Sequence, residues 1–261
     1  MNLHLYIEPL FQITHSIKYF RFISHTSKGE FSGGFLKDNY QTVKEKIAQA
    51  CRQAGRNTQD VRLIAVSKKK PVRDIEILQE LGQTSFGENY VQELMEKYSR
   101  LPETTAWHMI GHLQRNKVKY LIGKTVMIHS VDSLALAEEI DRQAAKADTT
   151  MSILLEVNVA EEDTKFGFKA EDVPAIAGEI SRLSHIRICG LMTSAPKSDD
   201  PQANRPYFEQ LRRLRDRLEI EIPDAPVHEL SMGMTQDYEA AIKEGATMVR
   251  IGTAIFGARD Y

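Results

Sequence analysis

The sequence predicts an α/β protein built as one domain, a (β/α)₈ (TIM) barrel. Two observations carry this. Eight short apolar runs alternate with amphipathic helical segments over roughly 220 residues, the rhythm of repeated βα units. Several runs are almost continuously apolar, such as Ile153-Leu154-Leu155 with Val157, as in parallel strands buried on both faces. A third observation is negative. The first run ends in Ser67-Lys68-Lys69-Lys70-Pro71, without the glycine-rich phosphate loop that a doubly wound open sheet would carry.

The regular pattern begins at Asp38. Asp38 and Gln41 resemble a capping box. Val43, Ile47, Ala50 and Ala54 follow at helical spacing, and Gly55 suits the position past a helix end. The strands are read as Arg62–Ser67, Ser85–Gly87, Trp107–Gly111, Val126–Val131, Ile153–Val159, Ile186–Met192, Glu229–Met232 and Met248–Ile251. Helices lie between them. Pro71 opens one in its first turn, Ile75, Leu78 and Leu81 make its stripe, and Gly82 closes it. Asp132-Ser133 precede a helix over Leu134–Lys146, Pro174 starts another, and Tyr207–Leu218 carries Leu211, Leu214 and Leu218. Residues 38–261 thus form the barrel. Residues 1–37 read as a poorly ordered extension ending at Ser32-Gly33-Gly34, and a misplaced start site would read the same way.

Composition narrows the function. The chain is 42% hydrophobic and 27% charged, with a formal net charge of −2. No clustered basic excess marks a nucleic-acid surface. No stretch approaches the roughly 18–20 apolar residues of a membrane span, and residues 1–22 lack the apolar core and cleavage site of a signal peptide. Cys51 and Cys189 are far apart and read as reduced thiols of a cytoplasmic protein. No unexplained apolar helix face asks for a partner, so a monomer is expected.

Barrel sites sit where strands end. Strand one ends at Lys68, which shares a face with Ile64 and Val66; Lys70 shares it if the strand continues. A lysine at a barrel mouth is partly desolvated, which favours the nucleophilic amine; otherwise the three lysines are a solvated cluster. Strands seven and eight end in Ser231-Met232-Gly233-Met234 and Arg250-Ile251-Gly252-Thr253. Their small residues and hydroxyls suit a phosphate, though Gly252 alone could be a tight turn. Arg250, in an apolar strand, serves either an internal salt bridge or a ligand ring atom. Asn89 contacts a ligand or caps the next helix. His108 and His112, four apart, invite a zinc reading. Gly111 and the lack of an intervening glutamate speak against it, leaving a satisfied histidine and a loop residue. No Ser-His-Asp order, Walker loop or HExxH motif is present. The residues alone point to a barrel that binds a phosphorylated small molecule, with a reactive lysine.

The segments AVSKKKP (65–71), FGENYVQE (86–93), WHMIGHLQRNK (107–117), KFGF (165–168), GLMT (190–193), LSMGM (230–234) and VRIGTAIFGAR (249–259) resemble the pyridoxal 5′-phosphate (PLP) homeostasis proteins, the YggS/PROSC-like PLP-binding proteins. The match spans nearly all of residues 40–261. It implies a barrel like the alanine racemase N-terminal domain, with PLP as a Schiff base on Lys68. It implies that Ser231, Gly252 and Thr253 hold the phosphate, with backbone from Met232 and Gly233. Arg250 would face the pyridine nitrogen, and Asn89 and Met234 would line the cofactor. Lys70 and Lys165 match family lysines near the site. An arginine there keeps the ring nitrogen unprotonated and weakens PLP as an electron sink. The chain also ends at Tyr261, without the second domain that supplies a racemase's other base. The resemblance therefore implies a non-catalytic PLP binder in intracellular PLP homeostasis and amino-acid and keto-acid balance, in transient contact with apoenzymes. A weak amino-acid racemase and a barrel enzyme for another phosphorylated metabolite are the alternatives.

Overall fold

The structure, a computed structural model, describes residues 33–162 and 164–258. Eight strands close a barrel in chain order, β1-β2-β3-β4-β5-β6-β7-β8. They are β1 Arg62–Val66, β2 Ser85–Glu88, β3 Ala106–Met109, β4 Met127–Val131, β5 Met151–Glu156, β6 Ile186–Met192, β7 Glu229–Ser231 and β8 Met248–Ile251. Every neighbouring pair is parallel, including β1 with β8. The barrel expected from the sequence is therefore present.

Helix α1 runs over residues 33–53. After it come α2 Val72–Glu80, α3 Val91–Tyr98, α4 Leu134–Lys146, α5 Val173–Ile180, α6 Arg205–Glu221, α7 Tyr238–Lys243 and the short α8 Thr253–Phe256. The β3–β4 crossover is a 3₁₀ helix, Arg115–Tyr120. Local signals explain several ends. Ser133 caps α4 by accepting from the Leu136 N–H. Pro174 sits in the first turn of α5, where its missing N–H costs nothing. Pro71 stands one place earlier than expected, as the residue preceding α2.

Alternation along the strands sorts the core. Leu63 and Ala65 of β1 join the layer packed against the helices, while Ile64 meets Met127, Leu154, Met192 and Met248 inside the barrel. Some boundaries differ from the sequence reading. Asp38 is not a cap, because α1 already runs from residue 33 through Gly33 and Gly34. Leu36 and Tyr40 extend the buried stripe of Val43 and Ile47 toward the N-terminus, and the Tyr40 hydroxyl donates to Gln83 Oε1 at 3.2 Å. That tertiary contact outweighs the local cap signal. The rest of the predicted extension, residues 1–32, lies outside the described residues. The fifth strand begins and ends earlier than expected. Cys51 and Cys189 are free thiols. Among the described residues, no helix is long and apolar enough to cross a membrane.

Candidate functional site

The C-terminal end of the barrel opens into a cavity of about 380 Å³, within the size range of small-ligand sites. Val66 and Lys68 line it from β1, and Asn89 and Ile110 from the ends of β2 and β3. Ser194, Pro196 and Lys197 follow β6; Met234, Thr235, Gln236 and Asp237 follow β7; Arg250, Gly252 and Thr253 complete the ring at β8. A cavity of about 310 Å³ lies at the other end of the strands, beside Arg62 and Gln83. In this fold that end serves stability rather than ligands.

Lys68 reaches the cavity by the alternation that turns Ile64 and Val66 inward. The turn beyond it is held from the helix side. The buried Ser67 donates its hydroxyl to Glu88 Oε1 at 2.7 Å, and its carbonyl accepts from Lys97 Nζ at 2.7 Å. Lys97 also donates to Glu88 Oε1 and Glu93 Oε1, each at 2.7 Å. Glu93 Oε1 in turn accepts from the Lys69 N–H at 2.5 Å. Lys69 has φ +60°, a left-handed conformation that a side chain adopts only where neighbours enforce it. Burial raises the Glu88 carboxyl above its usual range, opposed by the Lys97 charge. The same turn corrects the reading of Lys70. The strand ends at Val66, and Lys70 Nζ donates to the carbonyls of Phe256 at 2.9 Å and Ala258 at 3.3 Å, away from the cavity lining.

Arg250 is 4% exposed. Nη1 donates to both the carbonyl and the hydroxyl oxygen of Ser231 at 2.6 Å, and Nη2 to the Thr193 carbonyl at 2.8 Å. A longer contact of 3.5 Å runs from Nη2 to Ser194 Oγ. All four partners are neutral oxygens, so the internal-salt-bridge alternative is set aside. Among the described residues the Nε–H carries no bond. Burial pulls the Arg250 pKa down to about 10, opposed by Glu156 and Asp237, so the guanidinium stays charged at neutral pH. Glu156, at the end of β5, is raised to about 7 by burial and then by the nearby Asp132, against the pull of Arg250.

Behind Ser231 lies a neutral chain. His129 Nδ1 is 2.9 Å from Ser231 Oγ, and His129 Nε2 is 2.9 Å from His108 Nδ1. Burial holds His108 at about 3 and His129 well below its ordinary value. His108 is thus the satisfied histidine expected. His112 is exposed, 2.9 Å from Asp132, and its ring stacks on Phe166. Among the described residues no group of His, Cys, Asp or Glu is arranged to hold a metal.

Of the nine predicted site residues, Lys68, Asn89, Met234, Arg250, Gly252 and Thr253 line the cavity. Ser231, Met232 and Gly233 do not. Ser231 is buried beneath Arg250 as its anchor. The Met232 N–H donates to the Met248 carbonyl at 3.1 Å, so it is not available to a phosphate oxygen. Gly233 makes the turn. It has φ +89°, and a Cβ there would fall 2.6 Å from Ala241 Cβ. Lys165 donates to the Ser194 carbonyl at 3.1 Å, tying the β5 loop to the cavity rim.

Asn89 is no helix cap. Tyr90 holds that position, without a side-chain cap bond, and Asn89 Oδ1 is buried with no partner. Gly111 lets the chain approach it, since a Cβ at residue 111 would lie 2.5 Å from the Asn89 carbonyl oxygen. Sequence reasoning missed Ser194, Lys197, Thr235 and Gln236. Thr235 had a signal, as the first hydroxyl after LSMGM; its Oγ1 accepts from the Ala254 N–H at 3.3 Å and joins the β7 and β8 loops. Asp237 locks that loop, accepting from the Met234 N–H and from Asn204 Nδ2, each at 2.7 Å.

Comparison with known proteins identifies the family and the fold. The family described as "Alanine racemase, N-terminal domain" matches residues 38–260. An Aquifex aeolicus protein named "Pyridoxal phosphate homeostasis protein" is 46% identical over 220 residues, 84% of this chain and 96% of the relative. A crystal structure of an unknown protein from Bifidobacterium adolescentis superimposes with a TM-score of 0.81 at 36% identity, covering 86% of this chain and 96% of that one. PipY of Synechococcus elongatus PCC7942, with PLP bound, has a TM-score of 0.73 at 36% identity and covers 82% of this chain and 100% of its own. The chain belongs to the pyridoxal phosphate homeostasis protein family, on the fold of the alanine racemase N-terminal domain.

Proposed function

We propose that this chain holds pyridoxal 5′-phosphate on Lys68 as a Schiff base and keeps it for intracellular PLP homeostasis rather than for catalysis. One observation carries the reading. A strand-end lysine, a charged arginine and a buried amide with an unmet oxygen line the same cavity.

The donor set fits the cofactor. When bound, PLP supplies an aldehyde, which condenses with a primary amine by loss of water, and an electron-withdrawing pyridine ring. Lys68 offers the amine. Thr235 and Thr253 offer hydroxyls beside Gly252 for the phosphate, with Ser194 across the β6 loop. Arg250 has its Nε–H left for the ring nitrogen. Because it stays charged at neutral pH, it donates a hydrogen bond there without giving up its proton. The ring nitrogen then remains unprotonated, and carbanions are poorly stabilised. Asn89 gives its unmet amide to a polar ring substituent. Ser231 supports this set from below through Arg250 instead of touching the phosphate.

On this reading the protein is a cytoplasmic monomer that meets PLP-dependent apoenzymes transiently and affects amino-acid and keto-acid balance. The test has two arms. Lys68→Ala is expected to lose the imine absorbance while circular dichroism and melting stay near the parent's, because Lys68 lies in the turn after β1, at the cavity, instead of filling the core. An unchanged imine band in that variant would refute the site. In deuterated water, the PLP-loaded protein is expected to leave D- and L-amino acids unlabelled beyond free PLP. Turnover with α-deuterium incorporation would establish the racemase alternative instead.

A further inference from the structure

We propose that His129 is a positioning residue for Arg250: through Ser231 it fixes which guanidinium hydrogens remain for the cavity. The proposal rests on the reading of the cavity as a PLP site. The chain is continuous and buried. Arg250 Nη1 lies 2.6 Å from Ser231 Oγ, which lies 2.9 Å from His129 Nδ1, and His129 Nε2 lies 2.9 Å from His108 Nδ1. Ser231 and His129 are fully buried and His108 nearly so.

Proton accounting gives this chain one direction. A guanidinium only donates, so Ser231 Oγ accepts from Arg250. The hydroxyl has one hydrogen of its own. If His129 carried its proton on Nδ1, Oγ would accept twice. The hydroxyl hydrogen would then be stranded in the core, at a cost of about 1–3 kcal/mol. If Nδ1 is unprotonated, the hydroxyl donates to it and its hydrogen is met. Burial keeps both rings neutral, which removes the doubly protonated state. His129 then carries its proton on Nε2 and donates to His108 Nδ1, leaving His108 protonated on Nε2. The order is Arg250 to Ser231 to His129 to His108. It pins the serine hydroxyl, occupies both Nη1 hydrogens, and leaves Nε–H for the cavity that Arg250 lines. Among the described residues no carboxylate bonds the guanidinium, so this neutral chain, with the Ser231 and Thr193 carbonyls, sets its orientation.

The first test uses the wild-type apoprotein. Nitrogen-15 NMR of the histidine side chains is expected to show His129 with an unprotonated Nδ1 and a protonated Nε2. A protonated Nδ1 overturns the proposal. This readout needs no cofactor, so it judges the chain even if PLP binding itself fails to appear. The second test compares His129→Leu with His129→Asn, whose amide keeps an acceptor near the Nδ1 position. His129→Leu is expected to weaken PLP binding about tenfold and to shift the absorption maximum of the bound cofactor. His129→Asn should return both toward wild type. A purely structural role would lower melting without moving the absorption. A folded Leu variant with wild-type affinity and spectrum also overturns the proposal.

Discussion

Two buried polar networks support the cavity, and they are built differently. On the helix side of β1, Lys97 joins Glu88, Glu93 and the Ser67 carbonyl in a charged cluster that holds the turn after Lys68. Inside the barrel, Arg250 rests on Ser231 and two histidines that burial keeps neutral. The difference teaches how charge is placed. Between strand and helix a buried cation can be matched by carboxylates. Within the barrel a matching carboxylate would compete with a ligand for the guanidinium. Neutral partners orient Arg250 without cancelling its charge, and that charge remains for the cavity.

The contrast can be broken first at its charged side. Lys97→Met leaves Glu88 and Glu93 without their cation, and we expect a loss of about 3–5 kcal/mol in urea unfolding. Adding Glu88→Gln should recover part of it, because the two positions share one network. A Lys97→Met protein as stable as wild type would show that the cluster does not hold the Lys68 turn. The neutral side should reveal itself through pH. His108 in the folded protein titrates near about 3, whereas an unfolded histidine takes its proton below about 6.5. Stability is therefore present above the unfolded value and falls with acidification by up to about 1.4 kcal/mol per pH unit. His108→Gln should show a shallower decline between pH 6.5 and pH 5; an equal slope would remove His108 from the account.

Smaller effects sharpen the rim. A Cβ at Gly111 would meet the Asn89 backbone at 2.5 Å. Gly111→Ala should therefore cost about 1–3 kcal/mol and weaken PLP binding through Asn89, as calorimetry would record. Wild-type affinity in that variant would free Asn89 from its assigned part. Glu156 gives the smallest change, with the opposite pH sense to His108. Its folded carboxyl titrates at about 7 against an ordinary 4.5, so the folded state keeps a proton that the unfolded chain has lost. Stability on this account falls as pH rises toward 7. Glu156→Gln should then gain on the order of 1 kcal/mol over wild type at pH 8 and nothing at pH 4.5.

Much of the fold was legible because alternation and helix signals are local. The strands Ile186–Met192 and Met248–Ile251 and the helix Leu134–Lys146 agree with the sequence reading residue for residue. Lys68, Arg250, Gly252 and Thr253 were visible for the same reason, since each lies in or just past an apolar strand. What escaped depends on contacts distant in the chain. Gln83 anchors Tyr40 and so lengthens α1 past the Asp38 signal. His129 supports Ser231 from 102 positions away. The left-handed Lys69 redirects Lys70, and nothing in a run of three lysines marks that turn except Glu93 twenty-four residues on. The expected phosphate role of Ser231, with backbone from Met232, rested on loop composition and on the family resemblance. Neither carries the ladder bond of Met232 or the grip of Arg250 on Ser231, which join residues at the end of β7 to residues of β8.

The central claim is that Lys68, and none of its lysine neighbours, carries the cofactor. Borohydride reduction of the PLP-loaded protein, followed by peptide mapping, tests it most directly. A single pyridoxyl adduct on Lys68 is the expected result, and an adduct on Lys69, Lys70, Lys165 or Lys197 in its place would contradict the account.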